Sequence, residues 1–298
     1  MMLRILVLRH SAFYTPLLLT MAGGLLREEG LAAEYRIAAS LDELVDAIAG
    51  AGCDLAQSAV ATSFAWLERG ETPPFVHFAQ INERDGFFLV GRSPDPDFEL
   101  SQLAGRQVLV DHLFQPLAML RYAVHQAGVD WADIEVVDAG GPDAMVRAFR
   151  AGQGDYVHLQ GPAAQQLEAD GVGRVVAAVG DFIGPVAFSS LCARPDWLAA
   201  DCARAFMRAY RRARHMAVDL PAAEIAALEQ AAGFFTDIDA SVLAETIAAY
   251  QRLGCWTPEP EITEPAYERL LDVFGLSGGV GRRHPLEACI VNPPEVTI

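Results

Sequence analysis

One design occurs twice, 101 residues apart, and it constrains this 298-residue chain more than any other feature. The first copy runs from Ser40 to Ser63. Ser40 and Asp42 are good helix caps, and Leu41, Leu44, Val45 and Ile48 then fall on one helical face. Gly50 and Gly52 stop that helix, and Asp54-Leu55-Ala56 restarts the chain as a short apolar strand. Ser58 and Thr62 follow, where the strand should turn into another helix. The second copy runs from Asp143 to Gln160. Asp42 lands on Asp143, Val45 on Val146, Ala47 on Ala148 and Asp54 on Asp155; upstream, Glu34 lands on Glu135. A repeat this widely spaced is too sparse for a solenoid and predicts two similar α/β lobes.

The rest of the chain reads in the same terms. Strands are expected at 3–8, 33–37, 75–81, 86–91, 107–110, 134–137, 175–179 and 187–193. Helices are expected at 15–29, 59–68, 116–127, 196–219, 222–233, 240–254 and 264–275, with a glycine-proline loop at 181–185. The tail from Ser277 shows little periodicity and is expected to wrap the surface. Alternation of strands and helices predicts largely parallel sheets with helices on both faces. Ligands of such sheets sit beyond the carboxyl ends of the strands, which here are the loops 10–14, 57–62, 82–85, 111–115 and 158–162.

Composition excludes several functions. A net charge of −17 argues against binding nucleic acid or anionic lipid, though local donors can still hold an anionic small ligand. All 22 basic residues are arginine, so no lysine can form a Schiff base. The five cysteines form no CxxC pair, which points to buried free thiols rather than a zinc ribbon or disulfide framework. No metal or cofactor is indicated. Leu3–Leu8 reads as a buried strand rather than the core of a signal peptide, since Arg9-His10-Ser11 interrupts the apolar run. The expected location is the periplasm if an export signal has been removed, and otherwise the cytoplasm.

Several segments together resemble the type 2 periplasmic substrate-binding proteins, in the branch serving sulfonate, nitrate and thiamine-pyrimidine uptake. His10-Ser-Ala-Phe-Tyr14 resembles the family's first loop, with Ala12 where proline is usual. Gly24-Leu-Leu-Arg-Glu-Glu-Gly30-Leu31 resembles its first helix end. Ala51-Gly-Cys-Asp54, Leu103-Ala-Gly105-Arg-Gln-Val108, Gly152-Gln-Gly-Asp155 and Gly161-Pro162 resemble its later motifs. The match spans roughly residues 3 to 275, and its specificity lies in order and spacing. The resemblance implies two Rossmann-like α/β lobes joined by a two-segment hinge, residues 1–84 with 187–298 forming lobe I and 85–186 lobe II. A small-molecule ligand would lie in the cleft between them, and binding would close it. An ABC permease would be the partner of a monomeric chain.

Placed on that frame, the candidate ligand contacts are His10, Ser11, Tyr14, Ser58, Thr62, Asn82, Arg84, Asp111, His112, Phe114, Gln115 and Gln160. Tyr14 and Phe114 offer stacking faces, Ser58 and Thr62 hydroxyls near a helix start, and Arg84 a fork for a carboxylate or sulfonate. Each has a plainer alternative. Ser58 and Thr62 can cap a helix, Arg84 can pair with Glu83 or Asp85, and Phe114 can pack in the core. Phe13 is expected to pack under its helix. His77 is expected to be a satisfied core histidine, and His158 either reaches the cleft or is structural. The bulky Asp111-His-Leu-Phe-Gln115 points away from a simple oxyanion and toward a larger, aromatic or heteroaromatic ligand, which can be anionic. Two functions follow. The first is a solute-binding protein for an ABC importer. The second is an enzyme on the same fold, resembling desulfinases or pyrimidine synthases, in which His10, Asp111 and His112 do acid–base work. A ligand-sensing regulatory lobe is a third, and it would need a separate DNA-binding partner.

Overall fold

The computed structural model describes residues 1–296. Two five-stranded sheets organise it. The strands are β1 (Met2–Val7), β2 (Ala32–Ile37), β3 (Leu55–Ser58), β4 (Val76–Asn82), β5 (Phe87–Gly91), β6 (Gln107–Leu109), β7 (Glu135–Val137), β8 (Tyr156–Gln160), β9 (Arg174–Ala178) and β10 (Ser189–Ala193). The first sheet has the order β2-β1-β3-β10-β4 and the second β7-β6-β8-β5-β9. The fold is a two-domain α/β fold with helices flanking each sheet.

The repeat is visible as repeated geometry. In the first sheet β1 pairs in parallel with β2 and β3; in the second β6 pairs in parallel with β7 and β8. Arg4 stands opposite Glu34, as Gln107 stands opposite Glu135. The two aspartates do the same job. The Arg4 N–H donates to Asp54 Oδ2 at 2.8 Å, and the Gln107 N–H to Asp155 Oδ2 at 2.9 Å. In return the Asp54 N–H donates to the Arg4 carbonyl and the Asp155 N–H to the Gln107 carbonyl. Each aspartate thus satisfies a backbone donor on an inner strand and sets that strand's register against its neighbour.

The sheets are mixed rather than largely parallel. After β4 the chain leaves the first sheet and enters the second as β5, antiparallel to both β8 and β9. After β9 it returns as β10, antiparallel to β3 and β4. These two crossings, expected at the linkers near 82–90 and 181–188, supply the antiparallel half of each sheet, and local periodicity carries no sign of that antiparallel sense.

The helices are α1 (Thr15–Ala22), α2 (Leu25–Glu28), α3 (Leu41–Ala49), α4 (Phe64–Glu68), α5 (Phe114–Gln126), α6 (Pro142–Arg150), α7 (Ala163–Ala169), α8 (Val179–Ile183), α9 (Pro195–Leu198), α10 (Asp201–Asp219), α11 (Ala222–Ala231), α12 (Ala240–Leu253) and α13 (Glu264–Ser277). In α3, Ser40 Oγ accepts from the Glu43 N–H, the Glu43 carboxylate accepts from the Ala39 N–H, and Leu44 and Ile48 are buried. The expected helix over 15–29 is broken in two, because Gly24 takes a left-handed φ of 71°. The expected loop at 181–185 is instead the end of α8, stopped by Gly184. α12 packs on α7 and α13 on α5, so both C-terminal helices touch elements flanking the second sheet.

Candidate functional site

The loops after β1, β3, β6 and β8 converge between the sheets and enclose two adjoining cavities. Tyr14, Ser58, Thr62, Phe114, Gln115 and Gln160 line the inner cavity, together with Phe87 and Phe188 from the two crossings. His10, Ser11, Asp111 and Gln160 contribute to the outer cavity, and Phe235 and Asp237 come to it from the loop after α11. Leu8, Arg9 and Gln160 border both spaces.

The inner walls join aromatic faces to hydroxyls and amides. Ser58 Oγ and Thr62 Oγ1 lie 2.8 Å apart and share a hydrogen bond. Gln57 Oε1 accepts from the Leu8 N–H at 3.1 Å, which fixes the first loop against β3. Tyr14 is buried beside Arg9, Gln160 and Ser189, and burial raises the pKa of its phenol. Gln115 Nε2 donates to the Phe188 carbonyl at 2.7 Å, which leaves Gln115 Oε1 buried without a partner.

Contacts across the cleft hold its two sides together. Arg9 Nη1 and Nη2 donate to the two oxygens of Asp111 at 2.6 and 3.2 Å. Burial works against the Arg9 charge, but the bonds and charge of Asp111 outweigh it, and the guanidinium pKa is raised. Ser11 Oγ donates to the Gly161 carbonyl at 2.9 Å, and the Gly161 N–H donates to the Tyr250 hydroxyl at 2.8 Å. Beneath the floor, His158 is fully buried 4.5 Å from Phe87, with neither ring nitrogen partnered, and burial pushes its pKa down to about 4.

With this geometry in view, the comparisons with known proteins are specific. The sequence matches the family described as NMT1/THI5 like over residues 12–224. The chain belongs to this family. It is 28% identical over 280 residues to the Bacillus subtilis (strain 168) protein named "Putative binding protein YtlA", covering 93% of this chain and 83% of that one. Its fold is similar to that of the periplasmic aliphatic sulphonate binding protein SsuA from Escherichia coli, at a TM-score of 0.74 and 17% identity, over 98% of this chain and 92% of that one. It is also similar to the alkanesulfonate-binding protein SsuA from Xanthomonas axonopodis pv. citri bound to MOPS, at a TM-score of 0.73 and 15% identity, over 98% of both chains.

Not every residue singled out in this NMT1/THI5-like chain reaches a cavity. Asn82 does not: its Nδ2 donates inward to the Phe13 carbonyl at 2.6 Å, tying the end of β4 to the first loop. Arg84 turns to the Gly180 carbonyl at the second crossing, 3.3 Å away, rather than to the cleft or to a neighbouring carboxylate. His112 folds its Nδ1 back to the Val110 carbonyl at 2.8 Å and borders neither cavity. His10 borders the outer cavity, but its Nδ1 meets the Tyr35 hydroxyl at 3.0 Å and its ring stacks on Phe235 at 4.3 Å; burial lowers its pKa. The acid–base set of His10, Asp111 and His112 is therefore not assembled, since the Asp111 carboxylate is taken up by Arg9. Phe114 is 47% exposed and leans on Phe274 at the mouth of the inner cavity. Phe13 is buried under its helix, and His77 is a core histidine between Ser63 and Ser190.

Sequence reasoning missed Arg9, Gln57, Phe87 and Phe188. Arg9 had a signal: it is a cation directly after the first strand, in the loop where a ligand-binding edge is expected. Phe87 and Phe188 lie in the crossings, and nothing local marks them as cavity walls.

Proposed function

We propose that this protein is the solute-binding component of an ABC importer, holding a small organic ligand with an aromatic or heteroaromatic face in the inner cavity. The observation that carries the reading is that cavity, walled from both sides of the cleft by aromatic rings, hydroxyls and amides. Such a mixture suits a ligand with one flat apolar face and a few polar edges. The family match and the binding function named for the B. subtilis relative support it. On this reading, residues 1–84 with 187–298 form one jaw and 85–186 the other. The crossings near 82–87 and 178–189 act as the hinge, and the cross-cleft bonds of Arg9, Ser11 and Gln115 form as the jaws close. The site contacts are Tyr14, Ser58, Thr62, Phe114, Gln115 and Gln160, with His10, Ser11 and Asp111 in the outer cavity. The protein then works outside the cytoplasmic membrane and meets a permease. Among the described residues no helix is long and apolar enough to cross a membrane itself.

The test is thermal stabilisation by a panel of small aromatic and heteroaromatic compounds, on wild type and on Ala59→Phe. Ala59 lines the inner cavity, and a phenyl ring there is expected to obstruct it. Ligands that stabilise wild type but not Ala59→Phe support the reading; equal stabilisation of both sinks it.

A further inference from the structure

We propose that Asp111 is a built-in anion: it occupies the cationic corner of the cleft, so that the closed site selects uncharged ligands and rejects carboxylates, sulfonates and nitrate. The inference rests on the inner cavity being the ligand site and goes further, to the charge of the ligand. Three observations carry it. Among the described residues, Arg9 is the sole charged one lining the inner cavity. Both of its terminal nitrogens are taken by Asp111, whose side chain is 5% exposed. The same carboxylate also accepts from the Leu113 N–H at 2.8 Å, at the start of α5. The forked end of the guanidinium, which would grip an oxyanion with two parallel bonds, is therefore already held by a carboxylate belonging to the protein, and its charge is offset.

A ligand oxyanion that takes the forked end of Arg9 must displace that carboxylate and leave it buried beside a second negative charge, and one that takes the remaining N–H groups sits beside that carboxylate with the cation already neutralised. Stranding one member of a buried ion pair disfavours such a complex by about a hundredfold or more. The unpartnered Gln115 Oε1 points the same way. Its own amide nitrogen is held by the Phe188 carbonyl, so the oxygen cannot trade places with a donor. This amide therefore supplies no N–H to an oxyanion. Tyr14, Ser58, Thr62 and Gln160 can each donate or accept. The class selected is an uncharged molecule with a flat apolar face and polar edges.

The experiment is calorimetric titration of methanesulfonate into wild type, Asp111→Asn, Asp111→Ser and the double variant Arg9→Gln/Asp111→Asn, with melting curves confirming that each is folded. In Asp111→Asn the side-chain oxygen can still accept from Leu113 while the amide places no negative charge on Arg9. Asp111→Ser is a second route if the asparagine variant does not fold. The expected result is a gain in methanesulfonate affinity of at least about tenfold in the single variants over wild type, abolished in the double variant. Wild type binding methanesulfonate as tightly as a folded Asp111 variant overturns the proposal, and so does a gain that survives loss of Arg9. This failure is separate from failure of the cleft reading, which shows as ligands stabilising Ala59→Phe as well as wild type.

Discussion

Replacing Glu229 by glutamine should remove a large part of the protein's loss of stability at alkaline pH. Glu229 lies in α11, fully buried, with Oε1 2.8 Å from Thr15 Oγ1 and Oε2 without a partner. Thr15 Oγ1 is also 2.8 Å from the Ala12 carbonyl. The Thr15 hydroxyl has one proton to share between these two acceptors, so it compensates a charge on Glu229 only in part. Burial is the larger influence: it outweighs the lowering by the Thr15 bond and takes the Glu229 pKa from 4.5 up to about 8. The sign follows. Between those values the unfolded chain has released a proton that the folded one retains, so stability is greatest below 4.5 and falls as pH rises to about 8. At ~1.4 kcal/mol per tenfold change in proton affinity, the loss is at most roughly 5 kcal/mol. Glutamine is neutral throughout, and its Nε2 can donate to Thr15. Urea unfolding of both proteins from pH 5 to pH 9 measures the difference. The two should be similar at pH 5, with the variant more stable by several kcal/mol at pH 9. Asp85, another buried carboxyl pushed up to about 8, contributes the same slope to both and cancels. Parallel curves across this range would refute the argument that Glu229 is protonated in the fold.

Other perturbations follow from the same geometry. Gly86→Ala puts a methyl 2.2 Å from a ring carbon of the buried Phe13, next to the first crossing, and should cost about 1–3 kcal/mol in urea unfolding. Burial opposes ionisation of Asp54, but its bonds to Arg4 prevail and its pKa is lowered, so the stability it provides is lost as pH falls through that lowered value. Asp54→Asn should lower the unfolding free energy at pH 7 by about 1 kcal/mol or less in urea titration, since Arg4 is 43% exposed, and should flatten the acid limb of the stability curve. Gln115→Leu loses the bond to Phe188 but also removes an unpartnered oxygen. It should change unfolding free energy by under about 1 kcal/mol, yet weaken binding of an uncharged panel ligand by roughly tenfold in calorimetry.

What could be read from the sequence was what the backbone repeats. Asp54 and Asp155 stood out because each does the same local job, fixing a central strand through the bonds to Arg4 and Gln107. That job demands the same residue at the same place in both copies. The cleft was less legible because its defining contact joins Arg9 to Asp111 across 102 residues, between loops with no common pattern. Arg9 read only as a break in an apolar run. Asn82, Arg84 and His112 lay in the right loops, but each has a backbone carbonyl in reach, and that contact turns its side chain away from the cavity. Strand ends locate a ligand edge in such folds, whereas the direction of a polar side chain there depends on which carbonyl the tertiary structure leaves open.

The central claim is that the two lobes close on a ligand. Small-angle scattering with and without an uncharged compound that stabilises wild type but not Ala59→Phe tests it most directly. The account predicts a smaller radius of gyration on binding, with the ligand-bound curve matching the lobe arrangement described by this structure and the ligand-free curve more extended. A compound that binds in the inner cavity and leaves the radius unchanged contradicts it.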